Sequence, residues 1–135
     1  MKKVFDLLLK EIRKCLKKDE VPVACVLVKD GRVIAYDHNK KEEKKDPLAH
    51  AEILCIQKAS KKLKTWNLGD CELYVTLEPC EMCKAVIDEA RIKKVYYFNK
   101  SHKKRNNNVE YIEITAGSIN KVFETEIKNF FKNKR

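Results

Sequence analysis

The sequence predicts an α/β fold: a three-layer α/β/α domain around one mixed five-stranded sheet, with residues 1–135 forming a single domain. Three observations predict it. Segments of helical period alternate with short β-branched and aromatic runs, the pattern of helices laid on both faces of a sheet. Two of the β-rich runs flank Asp30-Gly31, a hairpin signal that makes the sheet mixed rather than all parallel. No internal repeat and no linker-like stretch divides the chain.

Each element has its own signal. Residues 3–18 place Val4, Leu8, Leu9, Ile12, Cys15 and Leu16 on one helical face. "VPVACVLVKDGRVIAYDHN" reads as strand, Asp-Gly turn and strand. "KKEEKKDP" reads as a charged loop, and Asp46-Pro47 as the start of a helix through "LAHAEILCIQKASKKL". "CELYVTL" is a strand. Pro79 is expected to open a second helix at the first-turn position, where a missing N–H costs nothing. "KKVYYF" and "VEYIEIT" are strands. "SINKVFETEIKNFFKNKR" closes the chain as a helix with Ile119, Val122, Phe123, Ile127, Phe130 and Phe131 on its apolar face.

Composition narrows the function classes. No apolar run approaches the roughly 18 residues that cross a bilayer. The first 18 residues are broken by Asp6, Lys10 and Glu11, as in an amphipathic helix rather than a secretion signal. A cytoplasmic location is therefore expected, where six cysteines do not imply disulfides. The net charge of +10 has two readings. A polyanionic partner, most simply nucleic acid, is one. A lysine-rich composition from an AT-rich genome is the other.

The chemistry lies in two short motifs. Cys80 and Cys83 follow Pro79 at a helix start, where backbone amides favour thiolates. Taken alone, such a pair fits a redox couple and a metal site equally. His50 and Glu52 shift the balance. They lie two apart at the start of the other helix, so they can serve one site only off the helix end. His50, Cys80 and Cys83 are three zinc ligands of suitable type for a single Zn²⁺ per chain. Three ligands leave a position for water, as in catalytic zinc sites, and Glu52 is the group that can move its protons. Cys71, and less so His38, are the residues that would close the site as a fourth ligand. Cys15, Cys25 and Cys55 are expected on buried faces as small apolar groups.

The pairing of "HAE" with "TLEPCEMC" resembles the zinc-dependent cytidine/deoxycytidylate deaminase superfamily, which implies a cytidine-deaminase-like fold. More narrowly, "VPVACVLVKDGRVI", "DPLAHAEIL", "LYVTLEPCEMC", "ARIKKVYYF" and "EITAGSIN…FFKNKR" are similar to the bacterial tRNA-specific adenosine deaminases. That resemblance implies attack of zinc-bound hydroxide on adenine at the wobble position of a tRNA anticodon, giving inosine. It implies that Asn39 contacts the base, although Asn before a charged loop is also ordinary turn chemistry. It implies a homodimer that grips an anticodon stem-loop. The chain departs from the family at Ala24-Cys25, at Leu48 and, most of all, after the fourth strand. There "NKSHKKRNNN" replaces a longer loop and helical crossover. Either the fifth strand pairs differently or the crossover is trimmed. Lys103, Lys104 and Arg105 fit RNA phosphate contacts and a solvated loop tip equally. Two other functions fit the motifs: deamination of a small nucleobase or nucleotide (guanine, cytosine or dCMP), and a non-catalytic zinc-stabilised RNA-binding module.

Overall fold

The structure, a computed structural model, describes residues 1–100 and 109–133. Its elements in chain order are α1 (Lys2–Lys17), β1 (Ala24–Lys29), β2 (Arg32–His38), α2 (Lys41–Lys44), α3 (Ala51–Leu63), β3 (Cys71–Leu77), α4 (Glu81–Glu89), β4 (Lys94–Asn99), β5 (Glu110–Glu113) and α5 (Ser118–Asn133). The sheet order is β2-β1-β3-β4-β5. β1 is antiparallel to both β2 and β3, while β3, β4 and β5 run parallel. The mixed five-stranded sheet is thus as the sequence predicts. The hairpin closes at Asp30 and Gly31, whose φ angles of 51° and 74° are those of a type I′ turn.

Alternation along the strands builds the two outer layers. Ala24, Val26 and Val28 of β1 and Tyr74 of β3 face α1 and α5, packing with Leu8, Ile12, Phe98 and Phe123. Cys25 and Leu27 of β1 and Leu73 and Val75 of β3 face α3 and α4, packing with Cys55, Ile87 and Val95. Cys15, Cys25 and Cys55 are all buried, as expected of small apolar groups.

Several element boundaries differ from the sequence reading, each for a local reason. Asp46-Pro47 does not start α3. The Asp46 carboxylate accepts the Leu48 amide at 2.9 Å, and the Asp46 carbonyl accepts the Ala49 amide at 3.2 Å, so "DPLA" is a turn. The helix begins at Ala51 with His50 as its N-cap. Likewise α4 begins at Glu81 with Cys80 as N-cap, which puts Pro79 just outside the helix. The "KKEEKKDP" segment contains the short helix α2, because buried Glu20 caps it by accepting the amides of Glu42 and Glu43 at 3.0 and 2.6 Å. On α1, Leu16 is exposed and Glu11 is buried, the reverse of what residue type suggests. Among the described side chains of α5 only Phe123 is fully buried, and Val122 and Phe131 are exposed. Its first turn is what holds it: Asn120 accepts the Ala116 amide and donates to the Phe98 and Ile114 carbonyls.

The pairing of the fifth strand is the one a crossover makes. β5 lies parallel to β4, in the register Lys94↔Glu110 to Tyr97↔Glu113. The connection that achieves this runs through residues 101–108; Lys103, Lys104 and Arg105 therefore lie outside the described residues.

Candidate metal and catalytic centre

Two helix N-termini point into one cleft at the carboxyl end of β3. His50 and Cys80 are the N-caps of α3 and α4, with extended backbones (ψ 150° and 172°) that turn each side chain back across its helix end. Cys83 sits in the first turn of α4 and Glu52 in the first turn of α3. This is how residues two apart come to serve one site: one caps the helix and the other lies just within it.

The geometry tests the donor set directly. His50 Nδ1 is 3.7 Å from Cys80 Sγ and 3.6 Å from Cys83 Sγ. A tetrahedral zinc with Zn–S near 2.3 Å and Zn–N near 2.05 Å would separate nitrogen and sulfur by about 3.6 Å. The three donor atoms therefore stand about where such an ion needs them. The thiols are prepared for it. A hydrogen bond from Cys83, helped by the amides of Cys83 and Met82 and by His50, draws the Cys80 thiol down to about 5. The shared proton and burial push Cys83 up, so the metal-free pair carries a single negative charge. Neither Cys71 nor His38 joins the group. Cys71 lies at the far end of β3, paired with Lys29, and His38 is bonded to Glu11.

Glu52 is 4% exposed, and burial pushes its carboxyl up to about 7. A carboxyl in that range exchanges protons at neutral pH. It lines a cleft of about 260 Å³ together with Asn39, His50 and Cys80. Val21, Val23, Ala51 and Leu77 supply apolar wall, and exposed Lys41 and buried Glu78 also line it. Glu78 is balanced by buried Lys84, whose Nζ lies 3.4 Å away. Asn39 is fixed from both sides of its backbone. Its amide donates to the Val23 carbonyl at 3.0 Å, and its carbonyl accepts the Cys15 thiol at 3.9 Å. The sequence reading missed Val21, Lys41 and Leu77; Lys41 was hidden in a run that reads as plain charged loop.

A second group of ligand-type side chains exists among the described residues: Glu11, Asp37 and His38. It has a different character. Lys14 meets Glu11 at 2.7 Å, and Lys40 and Lys58 meet Asp37 at 3.1 and 2.9 Å. Lysines already neutralise these carboxylates, so a cation has nothing left to compensate.

Comparison with known proteins fits this site. The MafB19-like deaminase family matches residues 1–135. The chain belongs to that family. It is 49% identical over 89 residues to a tRNA-specific adenosine deaminase of Aquifex aeolicus, covering 66% of this chain and 59% of the relative. It is 50% identical over 93 residues to that of Agrobacterium fabrum, covering 69% and 61%. The matched stretch thus spans about three-fifths of these relatives' length. A solved structure from a study of A-to-I editing by tRNA:A34 deaminases superposes with a TM-score of 0.71 at 46% identity, covering 74% of this chain and 77% of that one. Guanine deaminase from Bacillus subtilis superposes with a TM-score of 0.67 at 36% identity, covering 73% and 64%. The family fold is therefore the cytidine-deaminase-like α/β/α arrangement that the motifs imply.

Proposed function

We propose that this deaminase-family chain converts adenosine to inosine at the wobble position of a tRNA anticodon, in the cytoplasm and as a homodimer. The observation that carries the chemistry is the convergence of His50, Cys80, Cys83 and buried Glu52 on one cleft that also presents Asn39. Likeness to tRNA:A34 deaminases supports the substrate.

His50, Cys80 and Cys83 would hold Zn²⁺, which when bound supplies the Lewis acidity that lowers the pKa of water to about 7. The chain's own groups do the rest. Glu52 takes a proton from the attacking water and returns it to substrate nitrogen, so that water adds at C6 and ammonia leaves. Asn39 hydrogen-bonds the base and fixes its face toward Glu52. Val21, Val23 and Leu77 cover the ring and exclude bulk water. At about 260 Å³ the cleft suits a single flipped-out base rather than a whole nucleotide. A larger hollow of about 720 Å³ shares Val21, Asn39 and Lys41 with it. Phe130 and Phe131 offer ring faces there for a flanking base, but Lys18, Lys41 and Lys45 stand beside Asp19, Glu20, Glu42 and Glu43, so the hollow is not a cationic track for phosphates. The net charge of +10 supports the same partner.

A second reading, deamination of free guanine, is favoured by the likeness to guanine deaminase and by the small cleft. Incubating the zinc-loaded protein with an anticodon stem-loop carrying wobble adenosine, and separately with free adenosine, guanine and cytosine, separates the two. Inosine in the stem-loop with no ammonia from free bases is the expected result; ammonia from guanine alone would reverse the assignment.

A further inference from the structure

Glu11 is a carboxylate in the middle of the apolar face of α1, flanked by Leu8, Ile12 and Cys15, all buried. A buried carboxylate costs several kcal/mol unless it is paired, and an apolar side chain at that position would avoid the cost. Its Oε1 accepts the Nδ1–H of His38 at 2.8 Å, and its Oε2 meets Lys14 at 2.7 Å. These bonds outweigh the opposing effect of burial and hold the carboxyl below its ordinary range. His38 is the last residue of β2 and is itself buried, with Nε2 unpartnered among the described residues. The Glu11 bond is thus the ring's one hydrogen bond there.

Asn39 is the next residue along the chain. One turn along α1 from Glu11, the Cys15 thiol donates to the carbonyls of Val23 and Asn39, at 3.7 and 3.9 Å. Both Val23 and Asn39 line the cleft. Asp37 ties the same chain end to α3, accepting Lys58 at 2.9 Å and the His38 amide at 2.8 Å. We propose that Glu11 is a positioning residue: through its bond to His38 it holds the end of β2 so that Asn39 faces the cleft, and it thereby sets affinity for the base. The inference rests on the reading of Asn39 as a base contact.

A double-mutant cycle tests it, with Glu11→Leu, Asn39→Ala and the pair, on the zinc-loaded protein and the anticodon stem-loop. Glutamine would keep an acceptor for His38, so an apolar residue is used to remove it. If Glu11 acts through Asn39, Glu11→Leu raises KM several-fold with kcat within about twofold and zinc unchanged, because it weakens binding common to ground and transition states. In the Asn39→Ala background it then costs nothing further. His38→Leu breaks the same link from the other end and gives the same pattern. Full additivity with Asn39→Ala, or an unchanged KM in both single variants, overturns the proposal. Hydrogen exchange at residues 38–40 provides an arm that needs no turnover. Their amides bond to Asp37, Val23 and Ala49, and they should exchange at least tenfold faster in Glu11→Leu. If the wild type deaminates no stem-loop, the functional reading fails, and this exchange alone decides whether Glu11 fixes the β2 end. Unchanged exchange rejects it.

Discussion

Two histidines among the described residues stand with ligand-type neighbours, His50 half-buried and His38 buried, and they do opposite things. His50 stands with two thiols at the ends of two helices, where unpaired backbone amides favour negative charge. His38 stands with two carboxylates inside a ring of Lys14, Lys40 and Lys58. Both sets bring their donor atoms within 4.8 Å of one another. Proximity of donors therefore does not make a metal site. What separates the two is which charges were already matched before any ion arrived. The lysine ring completes the His38 group, and that group works as structure. The helix ends favour negative charge, and no lysine stands in the His50 group to neutralise the thiolate that Cys80 carries there.

The largest effect should come from exchanging the roles. Cys83→Ala removes one of three donors, and zinc content should fall from about one per chain to background by metal analysis of the purified protein. Asp37→Asn should leave zinc untouched. Zinc retained in Cys83→Ala and lost in Asp37→Asn would invert the comparison.

Next in size is the proton-handling group. Glu52→Gln keeps shape and should keep zinc, while deamination of the stem-loop falls by about 10²–10⁴-fold, the usual contribution of a general acid/base. Near-normal turnover would remove Glu52 from the chemistry.

Much of this site is legible in the residues. H-x-E and P-C-x-x-C pick out the four residues that the structure gathers at two helix ends, because each motif is short and lies at one helix start, although both starts fall later in the chain than the Asp46-Pro47 and Pro79 signals suggest. The strand run and the Asp-Gly hairpin are legible for the same reason. What is hidden depends on partners distant in sequence. Glu11 looks like the solvent side of an amphipathic helix until His38, 27 positions away, meets it. The helix at 41–44 needs Glu20 as its cap, 22 positions upstream of Glu42. Asp46-Pro47 carries a valid helix-start signal, but the Asx turn uses the same carboxylate first. The parallel pairing of β5 is equally nonlocal, and a connection length alone does not settle it.

A smaller effect concerns stability without metal. The Glu52 carboxyl has a folded-state value near 7 against an ordinary 4.5, because burial disfavours its charge. The folded chain then holds more protons than the unfolded one between those values, so stability falls as pH rises through that window. Glutamine has no such proton. Chelated Glu52→Gln should match the chelated wild type below about pH 4 and exceed it by roughly 3 kcal/mol above pH 7, read by urea denaturation. An equal difference at both pH values would show that packing, not charge, is responsible.

The smallest effect belongs to the other cluster, and its pH sign is the reverse. Asp37 is 2% exposed, and although burial works against it, bonds from Lys58, the His38 amide and Lys40 hold its carboxyl below the ordinary range. The unfolded chain takes up that proton first on acidification. The stabilisation from Asp37 is therefore complete above the unfolded value near 3.9 and is lost as pH falls through the folded one. Asp37→Asn keeps an acceptor for the His38 amide but meets the two lysines with a dipole instead of a charge. Lys58 is half exposed and regains water, which limits the loss to about 1–2 kcal/mol at pH 7. Asp37→Asn should lose its deficit against the wild type as pH falls below the unfolded value near 3.9, while Glu52→Gln gains its advantage as pH rises toward neutrality. Opposite pH slopes from two buried carboxylates would identify one as held by partners and the other as held against its solvation. Parallel slopes would mean that the lysine ring around Asp37 carries no net stabilisation, and that the two histidine clusters differ less than their charges suggest.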